Sequence, residues 1–507
     1  MSSESGNAGI ESAILCQQAL YHSASRQYSR CERRAVTQTV LLVNSNVAKP
    51  PVSPVGLEYV GHSLVDAGIP VDILDLSFES DWQAAIRREL EHSEPLLVGL
   101  PVRNTDDCCF LSRRSFLPWI KELVAELRKW TGAPVFLGGI GFSIMPDAVL
   151  QATQADGGIA GDGEEGVIAL CQHLLQGKEL TDVPNMVYRV NGRVARNPRT
   201  DIDLRRLPVP RRRLFDNRRY EQLGALVGVE TKRGCPERCV FCADPVAKGR
   251  RSRLRPPGIV VEELNDLVDQ GVCWLHMCDS EFNLPIQHAR DVCQAMVAAG
   301  LGDKLRWYTY CSPFPFDEEL ASLMMRAGCA GINFGVDSLC DEQLGRLGKG
   351  YSAGDVFRLV ELLRDAGLNY MFDLLVGGPG ETAATTRETI TRAREYDVPL
   401  VGISMGVRIW PGTPLAEAVA SGALSEGCYP EAKQDFSDPV FYLSPQLGGD
   451  AVSLVDELAG GDSRFLILSK PSEQQSYNYA DDEGLSRLIE AGARGAYWDI
   501  IRRYRRA

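Results

Sequence analysis

The sequence predicts an α/β protein built from two successive parallel sheets. Short continuous apolar runs, typical of buried parallel strands, alternate with amphipathic helical segments along most of the 507 residues. An arginine- and proline-rich segment at 204–215 interrupts this alternation. We therefore expect a doubly wound, Rossmann-like domain first, then a partial (β/α)6 TIM-type barrel, and finally a small C-terminal capping region.

The first domain is predicted to hold five buried strands and at least two amphipathic helices. The helix at 56–67 carries Leu57, Val60 and Leu64 on one face. A loop and a hairpin at 178–192 should close the domain. The predicted strands lie at 39–44, 71–76, 94–101, 133–139 and 157–160, and the second helix lies at 120–130.

The second domain repeats a strand-helix unit about six times, which is typical of a (β/α) barrel with its active face at the carboxyl ends of the strands. Predicted strands lie at 226–231, 272–277, 305–310, 331–336, 370–376 and 400–405, with helices such as 260–269, 317–327 and 353–366 between them. The predicted organisation is an N-terminal extension (1–35), the first domain (36–200), a linker (201–225), the barrel (226–420) and the capping region (421–507).

Composition excludes several classes of function. A formal net charge of -13 argues against a nucleic-acid partner. No apolar run approaches the ~20 residues of a membrane-spanning helix, so none is expected. Fifteen cysteines without a secretory leader favour the reducing cytoplasm, where thiols serve metals rather than disulfides.

Three of these cysteines stand close together between the first strand and first helix of the predicted barrel. Cys235, Cys239 and Cys242 have the spacing C-x3-C-x2-C. A structural zinc site would close its shell with a fourth ligand at short spacing, whereas Cys273 and His276 lie about thirty residues downstream. Three thiolates on a [4Fe-4S] cluster would leave one iron open to a ligand, and this hypothesis is favoured over a zinc loop or three incidental thiols.

The cysteine spacing, with Gly234 before it and Phe241 inside it, resembles the cluster loop of the radical S-adenosylmethionine (SAM) enzymes. The resemblance implies that the open iron binds the amino and carboxylate groups of SAM. It also implies that one electron from the cluster cleaves SAM to a 5'-deoxyadenosyl radical.

Three polar or glycine-rich loops follow strands of the first domain, at 103–107, 138–143 and 161–165. Ligands of doubly wound sheets bind at such loops, but the first turn lacks the G-x-G-x-x-G of a nicotinamide site. Placed before a radical SAM loop, this domain resembles the cobalamin-binding domain of the cobalamin-dependent radical SAM family. No D-x-H-x-x-G motif supplies a histidine for cobalt; His62 lies in the following helix. The cobalamin contacts that the resemblance implies are Arg103, Asn104, Asp106, Gly138, Gly139, Phe142, Ser143, Gly161, Gly163 and Glu164.

The barrel strands end in residues that the same resemblance assigns to SAM. Glu281 follows the second strand, where a carboxylate would receive the SAM amino group, although the family's two glycines are missing before it. Asp337 and Ser338 follow the fourth strand and resemble contacts to the ribose or methionyl end, and Phe241 lies in the cluster loop. Tyr310, Cys311 and Cys278 are weaker candidates for donating a proton or a hydrogen atom, since each is also typical of packing.

The two cofactors together favour C-methylation. The resemblance implies that SAM methylates cobalamin, that a second SAM yields a radical, and that the substrate radical takes the methyl group. A cyclisation or rearrangement without methyl transfer stays open, as does a non-catalytic cobalamin-binding or sensing protein. The expected partners are a small-molecule substrate and an external one-electron reductant. The capping region is expected to cover the barrel mouth and help choose the substrate.

Overall fold

The computed structural model describes residues 38–48, 50–424, 426–430, 438–448, 450–467 and 483–505. The predicted N-terminal extension, 1–35, lies outside the described residues. From Thr39 onward the described chain forms one compact unit.

The first domain contains a seven-stranded sheet in the order β2-β1-β3-β4-β5-β6-β7. The first five strands pair in parallel, and β6 and β7 form the predicted hairpin at one edge. Its strands are β1 (Val40–Asn44), β2 (Val71–Asp75), β3 (Leu97–Pro101), β4 (Val135–Gly138), β5 (Gly157–Ile159), β6 (Met186–Val190) and β7 (Arg193–Arg196). Its helices are α1 (Val55–Asp66), α2 (Trp82–Leu90), α3 (Leu117–Trp130), α4 (Gly139–Ile144), α5 (Pro146–Thr153) and α6 (Glu164–Gln176).

Helices cover both faces of this sheet, which confirms the doubly wound prediction. Leu64 of α1 and Leu170 of α6 pack on one face with Val40 of β1. Leu123 of α3 and Val149 of α5 pack on the other. Because both faces are covered, β1 is buried along its whole length, and this explains its apolar run from Val40 to Val43.

One segment of this domain differs from the prediction. Residues 138–143 were expected as a loop, but Gly139 begins α4. A Cβ atom at Gly139 would lie 2.8 Å from the carbonyl oxygen of Val102, and one at Gly141 would lie 2.9 Å from it. The glycines therefore let this short helix pack directly against the backbone that follows β3.

The second domain also contains a seven-stranded sheet, in the order β19-β15-β14-β13-β12-β11-β8, and all its pairs are parallel. Its strands are β8 (Val227–Val229), β11 (Trp274–Met277), β12 (Arg306–Cys311), β13 (Cys329–Asp337), β14 (Tyr370–Val376), β15 (Val401–Met405) and β19 (Phe465–Ile467). Two small sheets accompany it, formed by β9 (Lys232–Arg233) with β10 (Arg253–Leu254), and by β16 (Val407–Arg408), β17 (Cys428–Tyr429) and β18 (Phe441–Tyr442).

Helices cover the outside of this sheet. The helices from the linker to the C terminus are α7 (Asn217–Gln222), α8 (Asp244–Lys248), α9 (Pro257–Asp269), α10 (Ile286–Ala298), α11 (Glu318–Arg326), α12 (Asp341–Arg346), α13 (Ala353–Ala366), α14 (Ala383–Glu395), α15 (Pro414–Ala420), α16 (Ala451–Ala459), α17 (Glu483–Glu490) and α18 (Tyr497–Arg505). The six predicted strands are all present, so the partial barrel is confirmed. The seventh strand, β19, comes from the capping region.

The capping region contributes residues to both ends of the barrel, whereas it was expected to cover only the mouth. Strand β18 pairs with β16, which follows the carboxyl end of β15, and with β17 on its other side. Tyr429 of β17 and Phe441 of β18 contact the ring of Phe110 from the first domain. Helix α18 instead places Trp498 among residues at the amino ends of the strands, including Trp274, Ala330 and Leu400. This helix therefore closes the opposite end of the barrel.

The first domain covers the open edge of the barrel at β8. The backbone N–H of Gly228 donates to the hydroxyl of Ser53 at 3.0 Å, and that of Glu230 donates to the hydroxyl of Tyr59 at 3.1 Å. An edge strand normally leaves such groups unpaired. Residues 53–59, which include the start of α1, thus satisfy the edge and join the two domains.

A buried charge network reinforces this junction. Arg212 of the linker is fully buried and pairs with Glu58 of α1 at 2.6 Å and with Glu263 of α9 at 2.7 Å. Charges so deeply buried must be paired, because an isolated one is strongly disfavoured. Arg212 therefore ties the linker to both domains.

Among the residues that the structure describes, no helix is long and apolar enough to cross a membrane.

Candidate functional site

The three-cysteine loop lies between β9 and α8, at the carboxyl end of the first barrel strand. The N–H of Cys235 donates to the carbonyl of Gly249 at 3.1 Å, and that of Val240 donates to the carbonyl of Leu347 at 3.0 Å. Gly234 has φ +91, and a Cβ atom there would lie 2.2 Å from the carbonyl oxygen of Arg251. The glycine before the first cysteine is therefore required by this close approach.

The cysteines supply a donor set that suits an iron-sulfur cluster. Cys235 is buried, and Cys239 and Cys242 are partly exposed. Burial raises the pKa of the Cys235 thiol to about 12 and also raises the pKa of the other two. As free groups they would be protonated at neutral pH, so the thiolate form needs the positive charge of a bound metal centre. No group of three described Cys, His, Asp or Glu side chains is arranged around a single metal ion.

Two basic residues hold the start of the loop in place. Lys232 pairs with Asp279 at 3.1 Å and donates to the backbone carbonyl of Glu281 at 2.7 Å. Arg233 pairs with Glu164, the first residue of α6, at 2.6 Å and with Asp162, in the loop before it, at 3.1 Å. The sequence interpretation missed both roles, since nothing local to 232–233 indicates partners so distant in the chain.

The predicted SAM residues Phe241, Glu281 and Asp337 lie in one neighbourhood, with Lys349 at its centre. Lys349 forms a buried ion pair with Asp337, and its ammonium lies 5.6 Å from the centre of the Phe241 ring. Asp337 has φ +60, a left-handed conformation that is uncommon outside glycine. The Lys349 ammonium also donates to the carbonyl of Gly335 at 3.2 Å, and a Cβ atom at Gly335 would lie 3.7 Å from Oε1 of Glu281, so the two side chains lie near each other.

Ser338 lies apart from this group. It is 1% exposed, and its hydroxyl lies 2.9 Å from that of Thr389 in α14 while accepting the N–H of Cys340. Its predicted contact to SAM stays a prediction.

Glu281 fits a ligand with an amino group. Its Oε2 atom is buried and has no hydrogen-bond partner among the described residues. Burial raises the pKa of this carboxyl to about 8, with Lys349 and Lys232 opposing the rise. An unpartnered buried carboxylate oxygen is costly, and an incoming N–H donor would satisfy it.

A cavity of about 300 Å³ lies between the first domain and the cluster loop. Arg103 and Asn104, two of the predicted cobalamin contacts, line it together with Phe241 and the cluster cysteine Cys242. The remaining lining residues are Thr105, Cys108, Ile140, Gly141, Ile144, Ala243, Asp244 and Trp410. The cavity thus borders the predicted cobalamin loops and the cluster loop at once. Its mixture of aliphatic and polar groups suits a corrin ring with amide side chains.

Other predicted cobalamin residues do not line this cavity. They are Asp106, Gly138, Gly139, Phe142, Ser143, Gly161, Gly163 and Glu164. Phe142 is fully buried in the core of the first domain. The hydroxyl of Ser143 donates to the carbonyl of Gly139 and accepts the N–H of Gly161, both at 2.8 Å, and so joins two of the predicted loops. Their contacts to cobalamin stay predictions.

Asp106 connects the two domains. Its Oδ2 atom accepts a hydrogen bond from Arg408 of β16 at 3.0 Å, and both side chains are buried. Arg408 in turn lies 4.3 Å from the ring of Trp410, which lines the cavity. This ion pair thus fixes one wall of the cavity across the domain boundary.

The three weaker catalytic candidates fall into two places. Tyr310 and Cys278 lie on the inner face of the barrel sheet, because the neighbours Met277 and Cys311 belong to the core between sheet and helices. Cys311 therefore faces the helices rather than the barrel interior.

Comparisons with known proteins agree with this geometry. Residues 229–393 match the family model of the radical SAM superfamily, and residues 41–171 match that of the B12 binding domain. The chain is 34% identical over 445 residues to the tryptophan 2-C-methyltransferase of Streptomyces laurentii, which covers 75% of this chain and 74% of that protein.

Solved structures are similar over almost the whole chain. The radical SAM methyltransferase TsrM of Kitasatospora setae, with tryptophan substrate and the SAM analogue aza-SAM bound, has a TM-score of 0.85 at 31% identity, over 92% of this chain and 99% of that one. The same protein with cobalamin and a [4Fe-4S] cluster bound has a TM-score of 0.83. The cobalamin-dependent radical SAM enzyme OxsB, at 17% identity and a TM-score of 0.67 over 84% of this chain and 69% of that one, shares the fold.

The cysteine loop, the cavity beside it and these similarities lead to one assignment. The chain belongs to the cobalamin-dependent radical SAM enzymes, and within them it is a C-methyltransferase that uses a [4Fe-4S] cluster, SAM and cobalamin.

Proposed function

We propose that this enzyme methylates a ring carbon of an indole amino acid, with tryptophan as the parent substrate. The proposal is supported by the similarity to the tryptophan 2-C-methyltransferase of Streptomyces laurentii and to the tryptophan-bound structure of TsrM. On this chain, the observation that carries it is the lining of the barrel interior.

The interior has an aromatic floor. Trp274 and Tyr308 stack with ring centres 6.3 Å apart, and Trp498 of α18 meets Tyr308 edge-on at 5.9 Å. The hydroxyl of Tyr308 donates to Asp499 at 2.8 Å, which satisfies it in this buried position. This floor closes the amino end of the barrel, so a substrate enters from the mouth beside the cluster loop.

A polar layer lies above this floor. Strand alternation directs His276, Tyr310, Asn333, Asp373 and Ser404 to the inner face, because their neighbours along each strand belong to the outer core. Asn333 donates to Asp373 at 3.2 Å. A carboxylate inside a barrel can pair with an ammonium group, and we assign Asp373 to the α-ammonium of the amino-acid substrate.

The chain's own residues would hold and align the substrate during the reaction. A methyl group replaces hydrogen on a ring carbon, and the bound cofactors supply that methyl group and the one-electron chemistry. The barrel walls position the ring and exclude water and oxygen. We also propose that an external one-electron reductant serves the cluster in the cytoplasm. The described cysteines are all free thiols, which suits a reducing compartment.

The test is transfer of label from methyl-labelled SAM. The anaerobically reconstituted enzyme is incubated with a reductant, labelled SAM and tryptophan, and the product is analysed by mass spectrometry and NMR. We expect the label on a ring carbon. Indole-3-propionate, which lacks the ammonium group, should be a poor substrate, and the Asp373→Asn variant should narrow the difference between the two compounds.

Two results would contradict the proposal. Label transferred to neither compound would reject indole amino acids as the substrate class. A rearranged or cyclised product without label would instead favour the alternative in which the same cofactors act without methyl transfer.

A further inference from the structure

We infer that His276 accepts a hydrogen bond from the ring N–H of the substrate through its Nε2 atom. This inference rests on the proposed function, because it requires an indole ring. It identifies a specificity-determining residue that the sequence motifs did not indicate.

His276 lies on β11 and faces the barrel interior. Its neighbours Leu275 and Met277 are fully buried in the core between sheet and helices, so the imidazole lies on the opposite face. The ring meets that of Tyr310 on the adjacent strand edge-on, with centres 5.7 Å apart. His276 nevertheless keeps some exposed surface. The interior beside it is therefore open to a small molecule.

Cys278 contacts one of the two imidazole nitrogens. The Cys278 sulfur lies 3.4 Å from the backbone carbonyl oxygen of His276 and 3.4 Å from the His276 Nδ1 atom. A thiol has one proton to donate, and we assign it to the carbonyl, so that the second contact takes its proton from Nδ1. In the neutral ring, Nε2 is then the nitrogen with the free lone pair.

No described residue hydrogen-bonds to Nε2 of His276. The charged groups around the ring are Asp279, just after the end of β11, Arg103 of the first domain and Lys248 of α8. Burial lowers the pKa of the imidazole to about 4, with the two cations assisting and Asp279 opposing. The ring is therefore neutral at physiological pH and presents an acceptor rather than a second donor.

Arg103 also connects this residue to the cavity. It lines the cavity between the cluster loop and the first domain. Its positive charge also acts to lower the pKa of both His276 and Cys278. An indole held by Nε2 would lie on the side of the barrel that faces this cavity. Its C2 atom, bonded to the ring nitrogen, would then be held near the same point.

The test compares two ligands that differ in the ring N–H. Tryptophan and its benzothiophene analogue, in which sulfur replaces that N–H, are titrated into enzyme loaded with cluster and cobalamin but without SAM, so that no turnover occurs. The wild type should bind tryptophan about tenfold more tightly, since one hydrogen bond and a buried unpaired acceptor are at stake.

The variants are His276→Phe, which keeps an aromatic ring without an acceptor, and His276→Gln, which restores an acceptor. The Phe variant should bind both ligands equally, and the Gln variant should recover part of the preference. Iron and cobalt content are measured in parallel, and if the Phe variant loads poorly, the Gln variant is compared with His276→Leu.

The outcomes separate the two proposals. Tryptophan binding with an unchanged preference in the variants that lack an acceptor would overturn the role of His276 and leave the proposed substrate class intact. Equal binding of the two ligands by the wild type would also overturn the role of His276 without contradicting the proposed substrate class. Failure of the wild type to bind either ligand would overturn both.

Discussion

The two seven-stranded sheets use the carboxyl ends of their strands differently. In the first domain, the loop after β5 places Asp162 and Glu164 in buried ion pairs with Arg233, next to the cluster loop. In the barrel, the residues after β11 and β13 include Glu281, whose buried oxygen has no partner among the described residues. Similar sequence patterns at equivalent places thus serve docking in one sheet and leave a buried carboxylate oxygen without a partner among the described residues in the other.

The difference shows that a polar residue at a strand end is a candidate ligand contact only if it has no ion-pair or hydrogen-bond partner within the protein. Glu164 is 2% exposed and already paired, so its charge is neutralised within the protein. The Glu281 side chain is only partly buried, yet its Oε2 atom is buried and has no partner among the described residues. Substitutions at the cluster loop, the cavity, Arg233 and Glu281 distinguish a residue that joins the domains from one that binds a ligand.

Loss of a cluster ligand should have the largest effect. Cys239→Ala removes one of three thiolates, so iron content and methyl transfer should fall to background while cobalt binding is retained. The measurement is iron, sulfide and cobalt per chain after anaerobic reconstitution. Cys273→Ala is the matched control, since Cys273 is an exposed free thiol outside the loop. Full iron content in the Cys239 variant would reject the cluster assignment.

A bulky side chain in the cavity should abolish cobalt binding while the iron content is retained, the reverse of the cysteine substitution. Ile140 is 36% exposed at the cavity wall, and Ile140→Trp should reduce bound cobalt from stoichiometric to trace amounts while iron is retained. Leu175→Trp on α6 is the control, because Leu175 is exposed and lies outside the cavity. Cobalt retained in the Ile140 variant would mean that cobalamin binds elsewhere.

The docking role of the first sheet can be measured as stability. Arg233→Met leaves Glu164 buried without its cation, whereas Asp162 keeps its pair with Arg253, and removing one partner of a buried pair costs about 3–5 kcal/mol. Urea unfolding of the cofactor-free protein should show a lower midpoint. Arg205→Met, at an exposed pair with Asp203, should leave the midpoint unchanged. Equal midpoints for the two variants would show that the loop 161–165 does not fasten the domains.

The sequence was sufficient for the parts of the fold that depend on local pattern. A buried strand such as β1 carries a continuous apolar run from Val40 to Val43, and the cluster loop is a local motif. The sequence did not predict β19, which is only three residues long. It also did not predict the position of α18 at the amino end of the barrel, because that position depends on contact between Trp498 and Tyr308. Such contacts bring together residues distant in the chain, and no local periodicity reports them.

The residues of the candidate site also divide into those that the sequence could identify and those that it could not. Cys235 and Glu281 could be named from spacing and from position after a strand. Lys349, which pairs with Asp337, and Arg408, which pairs with Asp106, could not. A buried charge selects its partner by proximity in the folded state, and the sequence shows neither the proximity nor the burial.

The smallest expected effect concerns Glu281 and distinguishes the barrel from the first sheet most directly. Its pKa is raised from 4.5 to about 8 by burial, so in the ligand-free enzyme the carboxyl is protonated over this range. The folded state then binds one proton more than the unfolded state, and this group's contribution to stability declines as pH rises from 4.5 to about 8. An amino group that hydrogen-bonds to the ionised carboxylate reverses the preference and releases the proton.

SAM affinity should therefore increase with pH up to about 8, by at most about tenfold per pH unit, as one proton is released on binding. In Glu281→Gln this dependence should disappear, with affinity about tenfold below that of the wild type near pH 8, because a charge-assisted hydrogen bond is replaced by a neutral one. Equilibrium dialysis of labelled SAM with cluster-loaded enzyme measures both quantities. Glu342→Gln, at an exposed pair with Arg346, is the control. If the Glu281→Gln substitution left the pH dependence in place, the amino group of SAM would not be held by Glu281. The buried Oε2 atom of Glu281 would then accept a hydrogen bond from a different ligand in the barrel.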